Sequence, residues 1–128
     1  QGEPSNPASP AYFEQSIGDR VFFAVDQSAV DASAQAELNA QADWLIANPD
    51  YKVIIEGHAD ERGTRDYNLA LGARRAGSVR EYLTLRGVSA ARIQTVSYGK
   101  ERPSELCSAE SCYAMNRRGV TVLSNLSF

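Results

Sequence analysis

Between residues 19 and 126, short β-prone apolar runs alternate with longer stretches of helical spacing. Val21-Phe22-Phe23-Ala24-Val25 is a compact apolar run and predicts a buried strand. Leu38, Ala42, Leu45 and Ile46 then recur at helical spacing. That helix can start at Asp31 or Ser33, both competent N-caps, and must stop before Asn48-Pro49. Trp44 lies on it as a core or rim residue. Tyr51 to Gly57 (YKVIIEG) is β-branched and short, the clearest strand. Asp60 to Thr64 form a polar loop hinged at Gly63. The next helix runs from about Arg65 to Leu85, with Gly87 as its C′ residue. Arg92 to Tyr98 make a strand, closed by Gly99. After a long loop through Pro103, with a short helical turn near Met115 to Arg118, Val120 to Leu126 give the last strand.

The order β-α-β-α-β-β predicts an α+β fold, a two-layer sandwich with helices packed on one face of a mixed four-stranded sheet. Pro4, Pro7 and Pro10 among Ser, Asn and Gly mark the start as a polar linker, so residues 1–18 read as a flexible N-terminal tether and 19–128 as the domain. Length agrees, since 128 residues suit one domain with a core of its own. A net charge of −3 argues against a nucleic-acid partner, which needs a basic surface. No apolar run approaches the roughly 20 residues that span a bilayer. Cys107 and Cys112, in a polar loop, have spacing for a small disulfide ring in an oxidising compartment; a metal half-site and two reduced thiols are the alternatives.

The chemistry concentrates between Gly57 and Ala76 (GHADERGTRDYNLALGARRA). At 100° per residue, Leu69, Ala73, Ala76 and Leu83 form the stripe that faces the sheet. Asn68 and Arg75, seven apart, share a stripe at its border, roughly 10 Å apart along the axis. Arg74 points almost the opposite way, so helical phase selects Arg75. Asp60, on the loop entering this helix, can take a ligand ammonium while Arg75 offers a planar fork to a carboxylate. Together they would grip a small zwitterion. The structural alternative is an Asp60–Arg75 salt bridge above a capped loop. Thr64 can cap the helix or donate to the ligand.

His58, as His-x-Asp, suggests a metal, but one histidine in the chain leaves too few ligands; a polar loop residue is the better reading, with no metal and no cofactor. Neither a P-loop nor a nucleophile elbow is present. His58, Asp60 and Ser97 make at most a guess at a triad. A hydrolase using Asp60 and Glu61 as acid and base is disfavoured, because adjacent exposed carboxylates beside arginines stay ionised.

These residues closely resemble the OmpA-like peptidoglycan-binding domains, and among them the lipoproteins of the Tol–Pal system. The match covers nearly all of 19 to 124. It runs through Val21-Phe22-Phe23-x-x-Asp26, Asn48-Pro49-x-Tyr51, Gly57-His58-Ala59-Asp60-Glu61-Arg62-Gly63-Thr64, Tyr67-Asn68-Leu69-Ala70-Leu71-Gly72-x-Arg74-Arg75-Ala76, Val96-Ser97-Tyr98-Gly99 and Asn116-Arg117-Arg118. The resemblance implies a non-enzymatic function: non-covalent binding of the diaminopimelate in the peptidoglycan stem peptide, tying the outer membrane to the wall. It implies Asp60 and Arg75 as the diaminopimelate residues, Asn68 and Asp26 as further lining, Val25, Thr64 and Leu71 as flanking positions, and Arg117 near the site. It further implies TolB and other Tol proteins as partners, a periplasmic location, and a lipid anchor on the outer membrane ahead of this chain. A stator-type wall anchor or the C-terminal domain of an outer-membrane barrel is the alternative. Two features depart from the family pattern. Phe23-Ala24-Val25-Asp26 replaces an aromatic-acidic-aromatic-acidic run, and the cysteines, not general family features, would staple the loop over the site.

Overall fold

The computed structural model describes residues 5–60, 62–106 and 109–124. Four strands form one sheet in the order β1-β4-β2-β3: β1 (Arg20–Phe22), β2 (Lys52–His58), β3 (Ile93–Gly99) and β4 (Arg118–Ser124). β2 and β3 run parallel, whereas β4 is antiparallel to both β1 and β2. The sheet is therefore mixed, as expected. The parallel pair is joined by the long helix α3 (Arg65–Leu85), and α2 (Ala32–Ala47) joins β1 to β2. Both helices pack on the sheet face that carries Val21, Val53, Ile55, Ile93 and Thr121, all buried.

Local signals set the helix ends. Asp31 caps α2 by accepting from the Ala34 N–H, and Thr64 caps α3 by accepting from the Tyr67 N–H. α3 ends in a Schellman motif: Val88 N–H donates to Leu83 O and Gly87 N–H to Thr84 O, with Gly87 at φ 112°. The short α4 (Glu110–Asn116) extends further toward the N-terminus than the turn predicted near Met115, and β4 begins two residues earlier than expected.

Two differences from expectation are instructive. Residues 9–17 form a docked helical segment: α1 (Pro10–Tyr12) continues as a π-helical turn, Phe13–Ile17. Phe13 is fully buried, its ring 4.9 Å from Trp44, whose ring is 5.4 Å from Tyr51. Trp44 Nε1 donates to Pro7 O at 2.7 Å. Pro10 stands in the first helical turn, where its fixed φ favours the helix, so what reads as linker composition is also a helix start.

The second difference is the rotation of α3. Its buried residues are Asn68, Leu71, Gly72, Arg75, Ala76, Val79 and Leu83, whereas Ala73 is exposed and Leu69 only half-buried. Gly57 and Gly72 cause this. A Cβ on Gly57 would overlap the Gly72 carbonyl, and one on Gly72 would strike Ser97 Oγ. Helix and strand thus touch backbone to backbone at a position with no side chain for a hydropathy pattern to register. That contact turns Asn68 and Arg75 inward.

Candidate functional site

The predicted site residues gather where β2 ends and α3 begins. Asp60 follows β2, its residue only 8% exposed. Its Oδ1 accepts from the Arg62 backbone N–H at 3.0 Å and from Arg62 Nε at 3.3 Å; its Oδ2 accepts from Arg62 Nη2 at 2.8 Å and Arg117 Nη1 at 3.3 Å. Burial by itself would raise the Asp60 pKa, but these hydrogen bonds and charges outweigh it and hold the carboxyl below its ordinary 3.8.

Arg117 is buried and fixed three ways: Nε to Phe23 O at 2.9 Å, Nη1 to Asp60, and Nη2 to Glu110 Oε2 at 2.8 Å. Its neighbours are set equally firmly. Asn116 Oδ1 accepts from Ser104 N–H and Glu105 N–H while its amide donates to Glu105 O. Arg118 Nη2 donates to Arg102 O at 2.9 Å. The Asn-Arg-Arg run therefore holds residues 102–105 and delivers one guanidinium to Asp60.

Arg75 is placed differently from expectation. Helical phase separates it correctly from the exposed Arg74, but Arg75 has no exposed surface from which to offer its fork. Its Nε donates to Gln27 O at 2.9 Å, Nη1 to His58 O at 3.0 Å and Nη2 to Ala24 O at 3.1 Å. No carboxylate lies within ion-pairing distance of it among the described residues, which excludes the structural Asp60–Arg75 salt bridge. Burial lowers its pKa to about 10, Arg117 adds repulsion, and the attraction of Asp60 and Asp26 offsets this only partly. Arg75 is thus a buried cation without a partnered anion, closing the turn 24–27.

That turn presents Asp26, a non-glycine residue at φ 59°, with Gln27 N–H bonded to Ala24 O at 3.1 Å. Asp26, Val25, Asp60, Arg62, Gly63, Tyr67, Asn68 and Leu71 line an open groove of about 340 Å³. Asp26, Val25, Asp60, Asn68 and Leu71 of the predicted set are therefore brought together. Thr64 serves as the α3 cap, and Arg117 lies behind Asp60. Asn68 spends its amide donors on Arg62 O (2.6 Å) and Thr64 O (2.9 Å), shaping the loop. A larger groove of about 590 Å³ along the outer side of α3 has no buried polar residue in its lining.

Sequence reasoning passed over Arg62 and Tyr67 as site residues. Tyr67 lies four residues before Leu71, on the same helix face, a spacing that signals it. Arg62, two residues past Asp60, carries the Asp-x-Arg spacing of a local side-chain clasp. Glu110 and Tyr113 of α4 complete the surroundings, with Arg62 Cζ 4.5 Å above the Tyr113 ring. His58, expected in the loop, is the last residue of β2 and 1% exposed, with Nε2 3.1 Å from Glu56 Oε1. Ser97 donates to Leu69 O on the helix-facing side of the sheet, so no triad forms. Cys107 and Glu61 lie outside the described residues; Cys112 is in α4, and no described cysteine is free.

An α+β sandwich with its polar groove at the C-terminal end of the parallel strands defines the class. The chain belongs to the OmpA family, whose model matches residues 22–117. Within that family it is similar to peptidoglycan-associated lipoproteins. It is 55% identical over 119 residues to the one from Rhizobium meliloti, covering 93% of this chain and 68% of that protein. The Brucella abortus protein of the same name is 53% identical over 119 residues, covering 93% and 71%. The crystal structure of the peptidoglycan-associated lipoprotein from Burkholderia pseudomallei superposes with a TM-score of 0.83 at 40% identity, over 95% of this chain and all of that one. The C-terminal domain of Helicobacter pylori MotB shares the fold, with a TM-score of 0.77 at 19% identity over 83% and 84%.

Proposed function

We propose that this domain binds peptidoglycan without cleaving it, by holding the zwitterionic centre of diaminopimelate in the stem peptide. The observation that carries the reading is the polarity of the groove. Asp60 and Asp26 face it, and Arg75, a buried cation without an ion-pairing anion among the described residues, closes the turn behind Asp26. An ammonium is drawn to the carboxylates and a carboxylate to the field of Arg75. Preorganised charges of this kind cost little to arrange on binding.

The site does not suit hydrolysis. Asp60 is bonded by two guanidiniums and held ionised, so it has no proton to donate near neutrality. In the fuller reading, the domain anchors the outer membrane to the wall from the periplasm, through a lipid anchor preceding this chain, and works with TolB in the Tol–Pal system. Cys107 and Cys112 then form a disulfide. The relatives' name supports wall association and lipidation.

Pull-down with purified peptidoglycan tests the central claim. Asp60→Ala and Asp60→Asn are expected to lose binding while melting cooperatively. Undiminished pull-down by both refutes the reading, and muropeptides released on incubation would show an enzyme instead.

A further inference from the structure

Asp60 is already neutralised. Two guanidiniums hydrogen-bond its two oxygens, and a third cation, Arg75, lies close enough to be felt. A ligand ammonium brought to a carboxylate in that state gains little, because the positive charges around it repel the newcomer. For Asp60 to take an ammonium, one of its arginines has to leave.

The two are not equally free to go. The Arg117 side chain is 6% exposed and is tied to Phe23 O and Glu110 as well as Asp60. The Arg62 side chain is 45% exposed, and its guanidinium has no backbone carbonyl partner among the described residues. A second acceptor stands ready: Glu110 Oε1 is 3.8 Å from Arg62 Nη2, on a side chain 62% exposed. The Tyr113 ring beneath Arg62 Cζ offers a π-face that remains in contact as the guanidinium moves.

We infer that Arg62 is a resident occupant of the ammonium position: it clasps Asp60 in the free protein and transfers to Glu110 when a ligand ammonium arrives. This rests on the reading of the groove given above and deepens it. The displaced charge is kept on a neighbouring carboxylate, so exchange replaces one ion pair by another. Arg117 stays and keeps Asp60 in place. Selectivity follows, because a simple anion has no group to displace Arg62, and a simple amine has no carboxylate for the field of Arg75. The groove would therefore favour an amino-acid head group over either.

Calorimetric titration of the folded domain with free meso-diaminopimelate tests this, using Arg62→Ala, Glu110→Gln, the double variant and Asp60→Ala. Arg62→Ala is expected to bind about fivefold more tightly, the size of effect a partly exposed ion pair supports. Glu110→Gln should bind about threefold more weakly alone and have no effect in the Arg62→Ala background. Equal or weaker binding by Arg62→Ala overturns the inference, weaker binding marking Arg62 as a direct ligand contact. A Glu110→Gln effect that persists without Arg62 shows Glu110 acting through Arg117 and overturns the transfer. Undiminished binding by Asp60→Ala, or none by the unaltered domain, overturns the underlying reading instead.

Discussion

Arg75 and Arg92 do the same thing at opposite ends of β2. Arg92 donates to Leu45 O, Asn48 O and Tyr51 O, closing the α2–β2 connection at 2.9, 3.0 and 2.9 Å. Arg75 donates to Ala24 O, Gln27 O and His58 O, closing the turn against the far end of the strand. Each guanidinium donates to three carbonyls at the edges of those connections, although Ala24 O also accepts from the Gln27 N–H. The surroundings differ. Arg92 is half-buried near the Phe13–Trp44–Tyr51 cluster, where its surplus charge reaches water. Arg75 is sealed in, with Asp60, Asp26 and Arg117 around it and a groove alongside. The same turn-closing device is structural at one end. At the other its uncancelled charge lies beside the groove that we propose takes the ligand.

The sharpest test of that contrast is Arg75→Ala. It leaves the buried His58 carbonyl and the part-buried Gln27 carbonyl without this donor, at about 1–3 kcal/mol for a buried group, and empties the volume of a fully buried side chain, while Ala24 O keeps the Gln27 N–H. A loss of about 3 kcal/mol or more in urea unfolding is expected, together with loss of peptidoglycan binding. Arg75→Lys keeps the charge but not the fork, so it should recover part of the binding while remaining destabilised.

Next in size is Asp60→Ala, expected to weaken diaminopimelate binding by about tenfold or more, as removal of one partner from a desolvated charge pair does. Its melting temperature should fall much less than that of Arg75→Ala, since Arg117 keeps Phe23 O and Glu110. Arg92→Ala is smaller again. Its side chain is only half-buried and water can reach the Asn48 and Tyr51 carbonyls, though not that of fully buried Leu45, so about 1–2 kcal/mol of stability is lost and binding by the folded fraction is unchanged. Loss of binding in folded Arg92→Ala would break the comparison.

The smallest effect concerns pH. Burial lowers the His58 pKa below 6.5, its bond to Glu56 offsetting this only in part. The folded protein therefore binds the proton less readily than the unfolded chain. The stability from neutral His58 is complete above about 6.5 and declines as pH falls toward the lower folded value. Asp60, whose pKa is depressed, keeps its contribution above 3.8 and loses it only further down. Unfolding measured between pH 7 and 5 should thus show a modest decline while the folded domain still binds its ligand. An His58→Phe variant should flatten that decline, and an unchanged slope would remove His58 as its cause.

Much of this was legible in residue order. Strand runs, Asp31 and Thr64 as caps and Gly87 at a helix end are local signals, so both long helices and the α+β architecture followed. Helical spacing also distinguished Arg75 from Arg74. Less was legible where the signal is an absence. Gly57 and Gly72 add nothing to a hydropathy pattern, yet their contact sets the rotation of α3. Composition likewise concealed Phe13, since one buried ring outweighs the prolines around it.

Sequence by itself determined which residues are available at the end of β2 and that Asp60 and Arg75 belong to one neighbourhood. Only the tertiary structure decided that Arg75 lies behind the groove, and that Asp60 is held by Arg62 and Arg117. The physical reason is that charge partners are chosen by distance and burial. Arg117 reaches Asp60 across 57 residues because β4 lies beside β2, and no spacing along the chain records that.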